Sequence, residues 1–168
     1  SWERWSNPAK LETTTLDQAG KVLSLTLGEK SDGNDKVAVK LEFKSIGYPK
    51  GMNVTDMESL KFQVFVGGTL SMNIAVALLT GPSHLWYESR QFIVTPGNWQ
   101  TIEIPIQRTP TDRQHHWKSL ATEWRYSADL LDADAVHSVV LLLYNRGRPE
   151  TPVHIDRVYF QPKAAKKD

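Results

Sequence analysis

One short segment combines side-chain types that recognise sugars in water. Residues Trp86–Gln91 read WYESRQ, which places two aromatic rings beside a carboxylate, a guanidinium and an amide. A flat ring packs against the C–H-rich face of a pyranose, and planar polar groups form paired hydrogen bonds with its hydroxyls. The segment therefore predicts a glycan-contacting surface, for which the candidate contacts are Trp86, Tyr87, Glu88 and Gln91.

The alternation of side chains along a β-strand limits which residues of this segment can contact one ligand. In a β-strand, Trp86, Glu88 and Arg90 share one face, whereas Tyr87 and Ser89 share the other. Only one of the two rings can then face a cleft on the sheet. The other ring, or both, would belong to the core.

A second group of rings lies between His116 and Leu131, where Trp117, Trp124 and Tyr126 are found. Helical spacing of the apolar residues indicates a short helix, on which Trp117 and Trp124 would share a face and cap the core. An irregular loop is the alternative, in which the rings would be stacking platforms. We take Trp124 and Tyr126 as candidate ligand contacts.

Two further candidates come from strand positions. Gln63 points away from the inward residues of its predicted strand, so it could line a concave face. The residues at the end of one predicted strand could form another edge of the cleft, with Arg146 as the candidate ligand contact: Tyr144, Asn145, Arg146 and Arg148. Trp99 is interpreted as a packing residue. Trp2 and Trp5 are interpreted in the same way, with a stacking platform at the terminus as the alternative.

The catalytic signatures of common hydrolases give little support to an enzyme. The chain contains neither a Gly-x-Ser-x-Gly elbow nor a His-Glu-x-x-His helix. Glu88 and Glu103 lie on strands that we expect to be neighbours, so a glycosidase pair of carboxylates stays open as an alternative. A protein-interaction or adhesion domain is the other alternative, because the same rings could contact a protein.

Composition narrows the class of partner. The chain has 168 residues, no cysteine, 20 Lys and Arg against 19 Asp and Glu, and six tryptophans. A net charge of +1 predicts no nucleic-acid or membrane partner, and it favours an uncharged glycan over an acidic one. The first residue is Ser1, which suggests a processed product or a domain of a longer chain.

The hydrophobic pattern predicts an all-β fold. Short alternating strands separated by Gly- and Pro-containing turns are typical of an antiparallel two-sheet β-sandwich of jelly-roll type, here with at most one short helix in the long connection. Residues 1–162 form this sandwich in our interpretation, and 163–168 form a disordered tail or linker. The predicted strands are Val22–Leu27, Val37–Phe43, Leu60–Val66, Asn73–Thr80, Leu85–Val94, Gln100–Ile106, Val139–Tyr144 and Val153–Phe160.

Four pieces of the chain, in order, give it a family resemblance. They are Trp2-Glu3, the segment Asn53–Phe62, the turn and strand Pro96–Pro105 and the closing strand Val153–Phe160. Together they resemble jelly-roll carbohydrate-binding modules of the type appended to glycoside hydrolases. The long connection 108–135 departs from the pattern.

The resemblance carries expectations about function. It implies an extracellular, non-catalytic module that holds a parent catalytic domain on a plant or microbial polysaccharide, with a β-glucan or hemicellulose as the first choice. In similar modules, an N-terminal acid and an acid on the last strand help to hold a structural Ca²⁺, which prefers hard oxygen ligands. This assigns Glu3 and Asp156 as candidate calcium ligands.

Overall fold

The chain is described by a computed structural model that covers residues 2–6, 9–16, 20–27, 36–108, 114–144 and 151–164, with side chains from residue 23 onward. Within these ranges, twelve strands and two short 3₁₀ turns form, the turns at Phe43–Ile46 and Leu120–Thr122. The strands are β1 (Trp2–Ser6), β2 (Ala9–Leu16), β3 (Gly20–Leu27), β4 (Lys36–Glu42), β5 (Met57–Val66), β6 (Met72–Thr80), β7 (Leu85–Ser89), β8 (Phe92–Val94), β9 (Gln100–Pro105), β10 (Trp117–Ser119), β11 (Val136–Tyr144) and β12 (Thr151–Pro162).

The strands pair into two antiparallel sheets that pack face to face. The seven-stranded sheet has the order β1-β4-β11-β6-β7-β10, and β8 pairs with β6 beside it. The five-stranded sheet has the order β2-β3-β12-β5-β9. The predicted fold class, an antiparallel two-sheet sandwich, is confirmed. Among the described residues, no helix has the length and apolar composition needed to cross a bilayer.

Strict alternation builds the core between the sheets. In β5, Leu60, Phe62 and Val64 are buried, and the intervening residues point outward. Ile102 and Ile104 of β9 meet them from the neighbouring strand. These side chains lie on one side of the sheet because successive Cβ atoms of a strand alternate between its faces.

The seven-stranded sheet differs because its centre is buried on both faces. Ile74, Val76 and Leu78 of β6 face the core. The residues between them, Ala75 and Ala77, are also fully buried and belong to a second apolar cluster on the other face. This double burial explains why β6 reads as a continuous apolar run instead of an alternating one.

One predicted strand is two strands in the structure. The segment Leu85–Val94 is interrupted after Ser89, where β7 ends, and β8 begins at Phe92. The Ser89 hydroxyl accepts the backbone N–H of Val76 at 2.9 Å and donates to the Arg90 carbonyl at 2.9 Å. The Ser89 side chain therefore replaces a backbone acceptor for the Val76 N–H. The backbone can then leave the sheet at Arg90 and Gln91.

The predicted helix between His116 and Leu131 is wrong. Strand β10 and a single 3₁₀ turn occupy its first half, and Glu123 and Trp124 then adopt left-handed φ angles of 50° and 60°, which end the turn. Trp117 is buried and donates its Nε1–H to the Pro105 carbonyl at 3.1 Å. Trp124 is 49% exposed, so the two rings do not share a face.

This contrast predicts opposite effects on stability. Trp117→Phe removes a buried hydrogen bond and part of a core ring, so it should lower the free energy of unfolding by about 2–3 kcal/mol. Trp124→Ala truncates an exposed ring and should change it by less than about 0.5 kcal/mol. Urea denaturation of both variants checks this. Equal destabilisation would contradict the assignment of one ring to the core and the other to the surface.

Candidate functional site

The candidate site lies on the outer face of the seven-stranded sheet, the face turned away from the five-stranded sheet. Strand register aligns one row of side chains across this outer face: Lys40, Val140, Ala77, Glu88 and Lys118. The row changes from apolar at its centre to charged at its ends. The outer face is therefore an amphipathic surface, not an extension of the core.

The floor of the outer face is made of small and aliphatic side chains. Ala38, Ala75 and Ala77 are buried there, and Val140 and Leu142 complete the cluster. The partly buried side chains of Leu79, Trp86 and Tyr144 pack on this cluster. Because alanine projects only a methyl group, the aromatic side chains lie close to the sheet.

Glu88 joins the aromatic and charged parts of the outer face. Its residue is 6% exposed, and its Oε1 atom contacts the Lys118 ammonium at 2.9 Å. The Tyr144 hydroxyl donates to the same Oε1 at 3.4 Å. Burial acts to lower the pKa of Lys118, but the hydrogen bond and charge of Glu88 outweigh it, so the pKa is raised and the ion pair persists.

Tyr144 is fixed as a neutral hydroxyl by these surroundings. Burial is the largest cause that raises its pKa to about 12, and the negative charge of Glu88 adds to it. A hydrogen bond from Gln91 acts in the opposite direction without cancelling them. The hydroxyl thus stays a hydrogen-bond donor at all physiological pH values.

The edge of the outer face carries a third ring. The Tyr126 hydroxyl donates to the Ser89 carbonyl at 3.2 Å. The Arg90 guanidinium lies 4.4 Å from its ring centroid, and the Lys118 ammonium lies 5.4 Å away. Cation–π contacts of this kind hold the ring and both cations in one place.

A fourth ring stands in the connection beyond β10. Trp124 is held by its backbone N–H, which donates to the Ser119 carbonyl at 2.9 Å. Consecutive left-handed residues are uncommon outside glycine, and such strained turns cluster at functional sites. The turn leaves the Trp124 ring about half exposed next to the edge strand.

The structure brings most of the sequence-predicted residues to this one sheet. Trp86 and Glu88 lie on the outer face, and Gln91 lies in the break between β7 and β8. Tyr126 and Trp124 lie at the β10 edge. The Gln91 side chain also accepts a hydrogen bond from the Asn73 amide at 2.9 Å.

The prediction that Tyr87 contacts a ligand is wrong. Tyr87 is 3% exposed and faces the core, so the structure removes it from the candidate ligand contacts. Burial raises the pKa of its hydroxyl. Trp86 therefore supplies the outward ring of the pair, as strand alternation requires.

Gln63 lies on the opposite side of the molecule. It belongs to β5 in the five-stranded sheet, where its register partners are Asp156 and Thr101. Its outward neighbours include an aromatic row in which Phe65 contacts both Trp99 at 5.9 Å and His154 at 5.8 Å between ring centroids. Gln63 therefore cannot act together with Trp86 on one ligand unit.

The prediction that Glu88 and Glu103 lie on neighbouring strands is also wrong. Glu88 is in β7 of the seven-stranded sheet, and Glu103 is in β9 of the five-stranded sheet. Glu103 accepts a hydrogen bond from Ser59 at 2.8 Å and pairs with Lys61 at 3.3 Å. Carboxylates on the outer faces of two packed sheets cannot flank one glycosidic bond.

Two predicted site residues lie outside the described side chains. Arg146 is in the range 145–150, and Glu3 has a described backbone in β1 only. Asp156 is described, and its Oδ1 accepts the Arg157 backbone N–H at 2.7 Å. In the part of the chain whose side chains are described, no three His, Asp or Glu residues converge as a metal site would require. The calcium site stays a prediction.

Sequence reasoning missed Lys118, and it considered Tyr144 as an edge of the cleft without placing it beside Glu88. Lys118 lies in the segment that we interpreted as helical, so nothing in the local pattern placed it beside Glu88. Tyr144 is 56 positions from Glu88 in the chain, and only the pairing of β11 with β6 and of β6 with β7 brings them together.

Comparison with known proteins addresses the fold. No family model matches the sequence, and a search of curated proteins finds no relative. Among solved structures, the family 11 carbohydrate-binding module of Clostridium thermocellum, in complex with a β-1,3-1,4-mixed-linked tetrasaccharide, is similar with a TM-score of 0.58 and 15% identity. That match covers 96% of this chain and 88% of the module.

Two other solved structures extend the comparison. A family 30 carbohydrate-binding module matches with a TM-score of 0.57 and 12% identity, over 99% of this chain and 80% of that one. An exo-β-agarase matches with a TM-score of 0.65 and 15% identity, over 98% of this chain. This chain spans only 23% of the agarase. The chain thus has the β-sandwich fold of carbohydrate-binding modules.

The raised pKa of Tyr144 predicts a dependence on alkaline pH. A pKa that is higher in the folded state than in the unfolded state stabilises the fold below pH 10, and this contribution is lost as the pH rises through about 12. The ultraviolet tyrosinate titration of the wild type should contain a late phase that Tyr144→Phe lacks. A difference titration centred near the ordinary value of 10 would contradict the buried contact with Glu88.

The calcium prediction has its own test. If Glu3 and Asp156 help to hold a structural Ca²⁺, a chelator should lower the melting temperature and added CaCl₂ should restore it. Asp156→Asn should reduce the response. An unchanged melting curve after chelation would remove the prediction.

Proposed function

We propose that the outer face of the seven-stranded sheet binds a polysaccharide chain and that the domain is a non-catalytic targeting module. One observation supports this above the others. The rings of Trp86 and Tyr144 lie over a small-residue floor on the side of the sheet that the core does not use. These rings extend an apolar surface on a side of the sheet that no other sheet covers, and a pyranose stacks on an apolar aromatic surface of this kind.

Planar polar side chains lie beside the rings, and sugar hydroxyls form hydrogen bonds with groups of this kind. Glu88 and Gln91 are planar acceptors and donors, and each is held by a neighbouring side chain. Preorganised groups lose little conformational freedom when a ligand binds, so their hydrogen bonds contribute more to affinity. An open sheet face also keeps water as a competitor, and moderate affinity is expected.

The glycan that we favour is a β-linked glucan or a hemicellulose. The similar family 11 module was solved with a β-1,3-1,4-mixed-linked tetrasaccharide, which supports this choice by analogy of fold. We further propose that the domain is an extracellular accessory of a catalytic domain in a longer chain. The match to 23% of an agarase supports that arrangement.

The non-catalytic part of the proposal rests on the carboxylates. Glu88 is engaged by Lys118 and Tyr144, and its sequence-predicted partner Glu103 lies on the other sheet. A glycosidase requires one carboxylate as acid and a second across the bond.

Affinity gel electrophoresis over a panel of polysaccharides tests the proposal. We expect retardation by one or more β-glucans or hemicelluloses and a loss of affinity of about tenfold or more in Trp86→Ala, because truncating an aromatic anchor costs about 1.4–2 kcal/mol or more. The matched control is Trp99→Ala, which removes a partly exposed ring that packs against Phe65 of the five-stranded sheet and should leave retardation unchanged. Melting curves of both variants check that each is folded.

Three results would contradict parts of the proposal. Migration that no glycan alters would remove polysaccharide binding and favour the adhesion alternative. Equal loss in Trp86→Ala and Trp99→Ala would move the site away from the outer face. Release of reducing sugar by the wild type but not by Glu88→Gln would make the domain an enzyme.

A further inference from the structure

Arg90 is held in place at the edge of the outer face. Its guanidinium carbon lies 4.4 Å from the Tyr126 ring centroid, and its Nε–H donates to the His115 carbonyl at 3.2 Å. Its backbone N–H donates to the His116 carbonyl, also at 3.2 Å. An exposed arginine usually samples many rotamers, but the two side-chain contacts orient this guanidinium, and the backbone hydrogen bond holds the residue that carries it.

These contacts leave the two terminal amino groups of the Arg90 guanidinium open. The Nε atom and the face of the guanidinium are occupied, whereas its two terminal amino groups have no hydrogen-bond partner among the described residues. A guanidinium offers parallel N–H donors that match two oxygens of a carboxylate or a sulfate. Arg90 is thus a preorganised donor whose terminal amino groups can take an acceptor from a ligand.

The charges around Arg90 favour an anion. Lys118 lies 5.4 Å from the same Tyr126 ring. Its partner Glu88 is the more deeply buried member of the pair, with side-chain exposures of 8% for Glu88 and 21% for Lys118. Asp129, the acid near His115, is paired with Arg108 at 3.1 Å. Asp129 also reaches water, with 62% of its side chain exposed, but Arg108 offsets its charge, and Arg90 adds a positive charge to these two pairs.

We propose that Arg90, with Lys118 and Tyr126, forms a subsite for an anionic substituent, a carboxylate or a sulfate, on the bound polysaccharide. This inference rests on the proposed function of the outer face. It differs from the expectation of an uncharged glycan, which used only the net charge of +1 for the whole chain. Local charge decides the contact because screening confines such interactions to about 8–10 Å in physiological salt.

Three derivatives of one β-1,4-glucan backbone test the inference: hydroxyethyl cellulose, which is neutral, carboxymethyl cellulose and cellulose sulfate. We expect the wild type to bind one or both acidic forms about five- to tenfold more tightly than the neutral form at about 50 mM NaCl. This preference should largely vanish at about 500 mM NaCl. The two acidic arms distinguish a carboxylate from a sulfate.

Substitutions identify the residue that causes the preference for the acidic derivatives. Arg90→Gln should abolish it, so that the acidic forms bind no more tightly than hydroxyethyl cellulose. Arg90→Lys keeps the charge but not the fork, so it should retain only part of the preference. The matched control is Arg157→Gln, which makes the same charge change at an exposed arginine on the five-stranded sheet and should keep the full preference.

The outcomes separate this inference from the proposed function. Equal affinity for all three derivatives, or an equal loss on neutral and acidic forms in Arg90→Gln, overturns the anionic subsite and leaves polysaccharide binding intact. An equal effect of Arg90→Gln and Arg157→Gln overturns it as well, because the preference would then reflect overall charge. Failure to bind any of the three derivatives overturns the anionic subsite, and polysaccharide binding is removed as well only if no glycan of the wider panel is bound.

Discussion

The burial of the seven-stranded sheet on both of its faces is the constraint on which the rest of the structure depends. On the inner face, large aliphatic residues such as Ile74 and Leu78 fill the space between the sheets. On the outer face, the centre of the same strand carries alanines, and the rings of Trp86 and Tyr144 lie over them. Without the small residues, these rings would stand away from the sheet, and the outer face would not be a shallow aromatic surface.

The arrangement of charged side chains on the outer face follows from the burial of Glu88 beside the rings. Glu88 lies among apolar neighbours, where an isolated carboxylate would be costly, so it is retained through contacts with Lys118 and Tyr144. Those contacts orient both partners, and Lys118 in turn lies near Tyr126 and Arg90. One buried acid therefore organises the polar groups on one side of the outer face, including the edge where the charge is positive.

Some of this arrangement could be predicted from single segments. The alternation of β5 and of β9 identified their buried residues. The pattern WYESRQ placed Trp86 and Glu88 on one face of a strand and Tyr87 on the other, and the structure decided which face is outward. The segment around Trp117 was wrongly predicted because its apolar spacing fits a helix, although Ser119 and Thr122 close a capping box and left-handed residues stop the turn after Thr122. The spacing of apolar residues alone does not reveal where a helical turn ends.

The sequence by itself determined the all-β class, most of the strands and which side chains of a strand share a face, because alternation is a local property of extended backbone. Only the tertiary structure decided which strands are neighbours, because pairing joins segments that are far apart in the chain. It separated Gln63 and Glu103 from Glu88 by placing them on the other sheet, and it brought Tyr144 and Lys118 to the same carboxylate. Composition revealed the rings, and long-range pairing decided which of them meet on one surface.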